Sequence, residues 1–292
     1  MPAAISHYLL AKQVEKKQGE RLSLQEDAFL WGAQGPDFLF CHRFFPWQRG
    51  ESLSEFGVRL HRDSPSRTLQ WMRSYLKRYS GDLAARSYVL GFLSHYTFDS
   101  IAHPFIQYGA YRMNQVVEST SEETCHHVIE SALDTILLRY VWGALPTSLP
   151  LKKTVPQNER VQASMVRLYA KLLQAFYHKK ETESLLRQAI RDCRLAFGIM
   201  TDRTTLKKQF MDRRERGKEP ILSSHLRPIS EGDEFDYANI QENEWQWPPE
   251  SKEVHTESFF ALFEEAVSCT IRRINGFLNG VSLLELTGDK PF

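Results

Sequence analysis

The stretch His95-Tyr96-Thr97-Phe98-Asp99-Ser100-Ile101-Ala102-His103-Pro104 sets an imidazole, a carboxylate and a second imidazole at steps of four. On an α-helix, steps of four place all three side chains on one face, each about 6 Å further along the axis, with about 40° of drift per step. This polar stripe runs through an apolar segment, Tyr88-Val89-Leu90-Gly91-Phe92-Leu93-Ser94 before it and Pro104-Phe105-Ile106 after it. The segment reads as buried, and a buried carboxylate flanked by imidazoles is most readily satisfied by a cation. Pro104 biases His103 away from helical backbone. His103 is therefore expected at the last turn of the helix or just past it, pointing apart from His95 and Asp99, so that the stripe serves two metals.

Periodicity and capping signals predict helices on both sides of this stretch. One is expected over residues 7–18, capped by Ser6 and ended by Gly19, and a short one over 24–31. Gly32, Gly35 and Pro36 then make a turn that holds Asp37 at the edge of an apolar patch, followed by a loop-rich section to about residue 65 that contains His42, Trp47 and His61. Ser64-Pro65 starts a helix to about 79, Asp82 starts the central helix, and Ser121 opens a helix to Trp142 that bears His126 and Glu130. Further helices are expected over 157–178, 181–199 and 252–286. Between the last two lie a basic run from Arg203 to Lys218, read as a solvated helix face, and an acidic part with Glu231, Asp233, Glu234 and Asp236. Residues 242–250, with Trp245 and Trp247, form a loop that either packs on the body or covers a cleft. No alternating strand pattern and no internal repeat is present, so the chain reads as all-α.

With 292 residues, 42% of them hydrophobic, the chain can bury a large core, and no Gly/Ser/Pro-rich linker divides it. A single multi-helix domain over 1–292 is expected, with a metal-binding half at 1–145 and a helical half of unknown role at 146–292. The formal net charge of +1 supplies no overall field for nucleic acid or an anionic membrane. The four cysteines are scattered without CxxC spacing, which argues against a thiolate zinc site and gives no disulfide framework. No signal-peptide pattern opens the chain and no window approaches the roughly 20 apolar residues needed to cross a bilayer, so a soluble, cytoplasmic protein is expected.

Asp37, His61, His95, Asp99, His103, His126 and Glu130 are all oxygen or imidazole ligands. His126 and Glu130 repeat the i, i+4 geometry of His95 and Asp99, so two facing helices can each offer a pair. His127 is rotated about 100° from His126 and is left out. His42, His178, His225 and His255 lie in polar or loop surroundings and are expected at the surface. Asp134, four further on from Glu130, is either an acceptor for the free N–H of a ligand histidine or a solvent-facing aspartate.

In these features the sequence resembles the zinc-dependent phospholipase C family of bacteria. The resemblance rests on Gly35-Pro36-Asp37, on the His95-x3-Asp99 pair followed by His103-Pro104, and on the His126-x3-Glu130 pair, with His7 and His61 in the expected order. It covers about residues 5–140 and implies a multinuclear zinc cleft. Asp37, His61, His95 and Asp99 would hold a first zinc, and His103, His126 and Glu130 a second. In the family a third zinc is shared through the aspartate matched by Asp99 and completed by the histidine matched by His7 together with the mature amino-terminal residue. The sequence departs from that pattern at its start, where no signal cleavage exposes a tryptophan.

Three protein ligands on the second zinc leave a position for water or substrate, as in catalytic rather than structural sites. Neighbouring metals lower the pKa of water and clamp phosphate oxygens, which suits phosphoester hydrolysis. Asp37 has a second, lower-ranked role, orienting or deprotonating the attacking water. The expected substrate is a phosphoester, with a phospholipid head group and transient membrane contact within reach of the reading. A nuclease-like phosphodiesterase fits the same metals, but the neutral charge and the lack of an aromatic-basic stripe weigh against nucleic acid. A non-enzymatic, metal-stabilised helical binding protein is the remaining alternative.

Overall fold

A computed structural model describes residues 3–45, 47–117, 120–231 and 235–292. Among them are eleven α-helices and no β-strand, apart from an isolated bridge between Trp245 and His255, so the fold is all-α. In chain order the helices are α1 (Ala4–Leu22), α2 (Glu26–Gly32), α3 (Ser54–Arg62), α4 (Pro65–Arg78), α5 (Leu83–Val116), α6 (Glu122–Trp142), α7 (Glu159–Tyr177), α8 (Glu183–Met200), α9 (Leu206–Arg214), α10 (Phe259–Leu278) and α11 (Leu283–Thr287).

The 34-residue α5 is the axle of the structure. Asp82 caps it by accepting the Ala85 amide at 3.0 Å. From Ala84 to Asp99 it is buried almost all round, as expected of a helix whose apolar residues form no single stripe. Helices α1, α2, α4, α6, α7 and α10 all pack on it. Its closest neighbour is α2, which meets it glycine to glycine. A Cβ on Gly32 would lie 2.1 Å from the Tyr88 carbonyl oxygen, and one on Gly91 would lie 2.1 Å from that of Phe29. This approach delivers the turn after α2, and with it Asp37, against the middle of α5.

The helix does not end near His103. Pro104 lies inside α5, which continues to Val116 and keeps His103 in register with His95 and Asp99. The lost backbone bond costs about 3 kcal/mol. The burial of Phe105 and Ile106, at about 1.5–3 kcal/mol per large apolar side chain, offsets it. Phe105 packs against Trp245 and Phe259, with ring centroids 5.4 and 6.1 Å away. His103 is turned from His95 by helical drift, about 80° over two steps of four, rather than by the proline.

Other boundaries move for identifiable reasons. The first helix runs through Gly19 to Leu22, and Ser6 lies inside it, bonded to Asp134 rather than capping it. The loop-rich section contains α3, which carries His61 on its last turn. The last expected helix is two, α10 and α11. His42 is fully buried and accepts the Leu53 amide at 3.0 Å, so it is not a surface residue. The basic run does lie on a solvated helix, since α9 has no buried residue. Of the acidic part, Asp233 and Glu234 lie outside the described residues. The loop at 242–250 packs on the body through Trp245, only 4% exposed, and lines a cavity away from the central histidines.

Residues beyond 146 brace the ligand-bearing helices. From α7, the Tyr169 hydroxyl bonds to the Tyr88 hydroxyl (2.7 Å) and the Gly35 carbonyl (3.3 Å). On α8, Asp192 accepts the Arg43 amide (3.0 Å) and the Gln48 side chain (2.8 Å), pinning the segment after Asp37. Phe259 and Phe263 of α10 pack on Phe98. The Tyr96 hydroxyl donates to the Thr287 and Lys290 carbonyls, which brings Phe292 onto the rings of His61 and His95 at 4.9 and 5.6 Å.

Candidate metal centre

His7 reaches the centre because Asp134 fixes the start of α1. The Asp134 carboxylate accepts the Ile5 amide (3.2 Å), the Ser6 amide (2.8 Å), the Ser6 hydroxyl (2.7 Å) and Arg227 Nε (2.7 Å). A carboxylate there satisfies amides the helix itself cannot and complements its dipole. Asp134 is therefore neither at the surface nor a partner of a ligand histidine: it is 0% exposed and serves as a helix cap from a distance.

Asp37 sits on the 3-10 turn Asp37–Leu39, directly after the glycine turn. Gly35 has φ +54°, and a Cβ there would fall 2.1 Å from His95 Cδ2, so only glycine lets this turn lie against the ring. Its carbonyl accepts the Tyr88 hydroxyl at 2.8 Å. His61 Nδ1 donates to the Gly57 carbonyl at 2.7 Å, which aims the Nε2 lone pair at the centre.

Four side chains then converge. His61 Nε2 lies 3.2 Å from Asp37 Oδ1, 3.4 Å from His95 Nε2 and 3.9 Å from Asp99 Oδ2. His95 Nε2 lies 3.2 Å from Asp99 Oδ2 and 3.9 Å from Asp37 Oδ1. Donors about 2.0–2.2 Å from a tetrahedral zinc stand about 3.3–3.6 Å apart, and these separations, 3.2–3.9 Å, bracket that range. The donor chemistry agrees. With Nδ1 committed to Gly57, His61 Nε2 meets Asp37 acceptor to acceptor, a contact that needs a proton or a cation between them.

The other oxygen of Asp99 faces the opposite way. Oδ1 lies 3.1 Å from His7 Nε2 and 3.7 Å from His103 Nε2. His126 Nε2 lies 3.2 Å from Glu130 Oε1, and His103, His126 and Glu130 form a further group whose donor atoms all fall within 4.8 Å of one another. Among the described residues the metal-capable groups are thus Asp37, His61 and His95; His7, His95 and Asp99; and His103, His126 and Glu130. Asp99 stands between them.

All of these except His95 line one cavity of about 360 Å³, and His95 lies just behind its wall, 0% exposed. Burial alone would raise the Asp99 pKa, yet its interactions with the His95, His103 and His7 imidazoles hold it well below the usual carboxylate range. Burial likewise opposes ionisation of Asp37 and Glu130, and the neighbouring histidines win at both. Burial pushes the His95 pKa down to about 4, which keeps the ring neutral and able to ligate. His7 goes the other way: burial lowers its pKa, but the Asp99 carboxylate more than restores it. The arrangement holds compensated negative charge in a concave site, as a metal site requires.

The cavity also draws on residues without a motif. His127 lines it and packs against His225, ring centroids 4.5 Å apart, so His225 is half-buried beside the centre rather than free at the surface. Arg62, Gln107 and Phe292 complete the wall. Arg62 and Gln107 had a local signal, each standing one position or one helical turn from a ligand-type histidine. Phe292 had none, since only the folded chain brings it to His61.

The fold and the site together define an all-α protein with adjoining imidazole and carboxylate groups that could hold metal. The zinc-dependent phospholipase C family matches residues 1–187, more than half of the 292-residue chain. The chain belongs to that family. Neither the curated proteins nor the solved structures give a match. No helix among the described residues is long and apolar enough to cross a membrane.

Proposed function

We propose that the chain is a zinc-dependent phosphodiesterase of the phospholipase C type. The observation that carries this reading is the two-sided contact of Asp99, with Oδ2 toward His95 and His61 and Oδ1 toward His7 and His103. One carboxylate placed between donor groups is the arrangement that sets cations side by side along a phosphoester. In this reading Asp37, His61, His95 and Asp99 hold one zinc; His103, His126 and Glu130 hold a second; and His7 with Asp99 supports a third. Zinc bound there supplies Lewis-acid polarisation of phosphoryl oxygens and a water of lowered pKa.

The chain's own groups do the rest. The second group, with three protein donors, leaves room beside the cavity for substrate. Asp37 lines the same cavity and orients the attacking water, and the packed rings of Phe92 and Phe292 keep bulk water from the buried face of His95. A lipid substrate is supported by a run of ring contacts from the cavity to the surface. His127 packs on His225, His225 on Phe44, Phe44 on Phe45 and Phe45 on Trp47, which is 66% exposed. Such rings can rest on a bilayer interface while the cavity faces the head groups.

The test measures zinc per chain by atomic emission and hydrolysis of a chromogenic phosphodiester, with and without chelator. Expected are two or more zinc ions and activity abolished by the chelator and by the His95→Ala, Asp99→Ala double variant. Unchanged hydrolysis in that variant would sink the enzyme reading. Bound zinc with no turnover of phosphodiester or phosphomonoester would leave a metal-stabilised binding protein.

A further inference from the structure

The charges around the cavity are unevenly assigned. Asp37, Asp99 and Glu130 are the acidic side chains of its lining among the described residues, and each faces imidazoles. The rest of the wall includes Phe40, Val58, Gln107, His127 and Phe292, and one basic side chain apart from the histidines, Arg62. Arg62 is exposed at the end of α3 and has no ion pair or hydrogen-bond partner among the described residues. Its neighbours are otherwise engaged: Asp63 accepts the Tyr177 hydroxyl at 2.8 Å, and the Arg59 guanidinium lies 4.3 Å from the Tyr177 ring centroid. Neither group pairs with Arg62, whose guanidinium at the rim has no partner among the described residues.

We infer that the head group that stays on the phosphoryl when the glycerol oxygen leaves is anionic and is bound by Arg62, and that a quaternary-ammonium head group is disfavoured. The inference rests on the phosphodiesterase reading. A cationic head group would need a carboxylate or an open aromatic face at the rim, whereas the acidic side chains here face imidazoles, the rings of Phe40 and Phe292 pack on His61, and the unpaired side-chain charge is positive. A planar guanidinium pairs well with a second phosphate or with a carboxylate, through two parallel hydrogen bonds. Gln107 and His127, on the same wall, add uncharged donors for an anion or for hydroxyls.

The experiment compares short-chain phosphodiesters with choline, serine and inositol-phosphate head groups, carried in neutral detergent micelles so that surface charge stays constant. In parallel, calorimetry measures binding of phosphocholine, phosphoserine and inositol bisphosphate to the zinc-loaded protein. Expected is a preference for the anionic head groups in kcat/KM and in affinity. Arg62→Gln should weaken it by roughly 10- to 100-fold, the loss of a charge-assisted hydrogen bond, mainly through KM. Arg59→Gln removes the same charge from the same helix and should leave the preference in place. Serine and inositol-phosphate arms separate carboxylate from phosphate as the recognised group, and either supports the inference. Phosphocholine bound as tightly as inositol bisphosphate, or equal losses in the Arg62 and Arg59 variants, would overturn it. Should no ester be turned over, the phosphodiesterase reading fails and calorimetry alone decides the role of Arg62.

Discussion

Gly35→Ala probes the tightest contact of the centre without touching a ligand. At φ +54° an alanine is strained, and its Cβ would lie 2.1 Å from His95 Cδ2 and 2.4 Å from both Cγ and Nε2. Ordinary carbon contacts begin near 3.5 Å, so the ring or the turn must yield by more than 1 Å. Neither yields easily: the ring is fully buried, and the Gly35 carbonyl is held by the hydroxyls of Tyr88 and Tyr169. Left-handed strain of about 1–2 kcal/mol and overpacking of about 1–3 kcal/mol together give a loss of about 2–5 kcal/mol. At about 2 °C per kcal/mol the melting temperature falls by roughly 4–10 °C. Because the strain falls on His95, zinc binding at the first group and activity should drop as well, about 100-fold in rate for a displacement of about 1 Å. Gly143→Ala is the matched control, with φ +60° and nothing within 4 Å of its added Cβ; it carries the backbone strain alone. Differential scanning fluorimetry, zinc content and kcat/KM are measured on both variants. If Gly35→Ala keeps its zinc and activity and melts no lower than Gly143→Ala, the steric argument is wrong.

Asp134→Ala removes the acceptor shared by Ile5, Ser6 and Arg227, and breaking a buried ion pair costs about 3–5 kcal/mol. The start of α1 loosens, so bound zinc should fall by the ion that His7 supports while activity at the other groups persists in part; a full zinc complement and a wild-type melting temperature would count against it. In chelator-treated protein, Asp99 sets an acid limit. Its pKa is depressed in the folded state, so its stabilisation is present above the unfolded value of about 3.9 and is lost as pH falls through the folded one. Urea unfolding followed by circular dichroism should therefore show wild-type stability falling below about pH 4, and a shallower fall in Asp99→Asn; equal slopes would show that Asp99 is not the group responsible.

What the sequence made legible was mostly what a single helix can carry. The spacings of His95, Asp99 and His103 and of His126 and Glu130 report their own geometry, because both partners ride on one rigid element. Asp37 was legible through the glycine turn beside it. His61 was legible as a ligand type but not as part of α3, since a nine-residue helix ending at the site leaves a short pattern. Pro104 misled because a local backbone rule was overruled by the packing of Phe105 and Ile106, which no local signal shows. The tethers from Asp134 to Ser6 and from Phe292 to His61 span more than a hundred residues and have no periodicity to read.

The single helix that bears His95, Asp99 and His103 also acts as a gauge. Because the three side chains share one rod, their spacing is set by helical rise, about 6 Å per step of four, and not by loop conformation. Loops elsewhere in the chain can lengthen or change without altering that interval. One residue added between Asp99 and His103 would instead swing the latter by about 100° and disconnect the second group from the first. The spacing of the donor groups is thus written into the pitch of α5, while the walls around them remain free to vary.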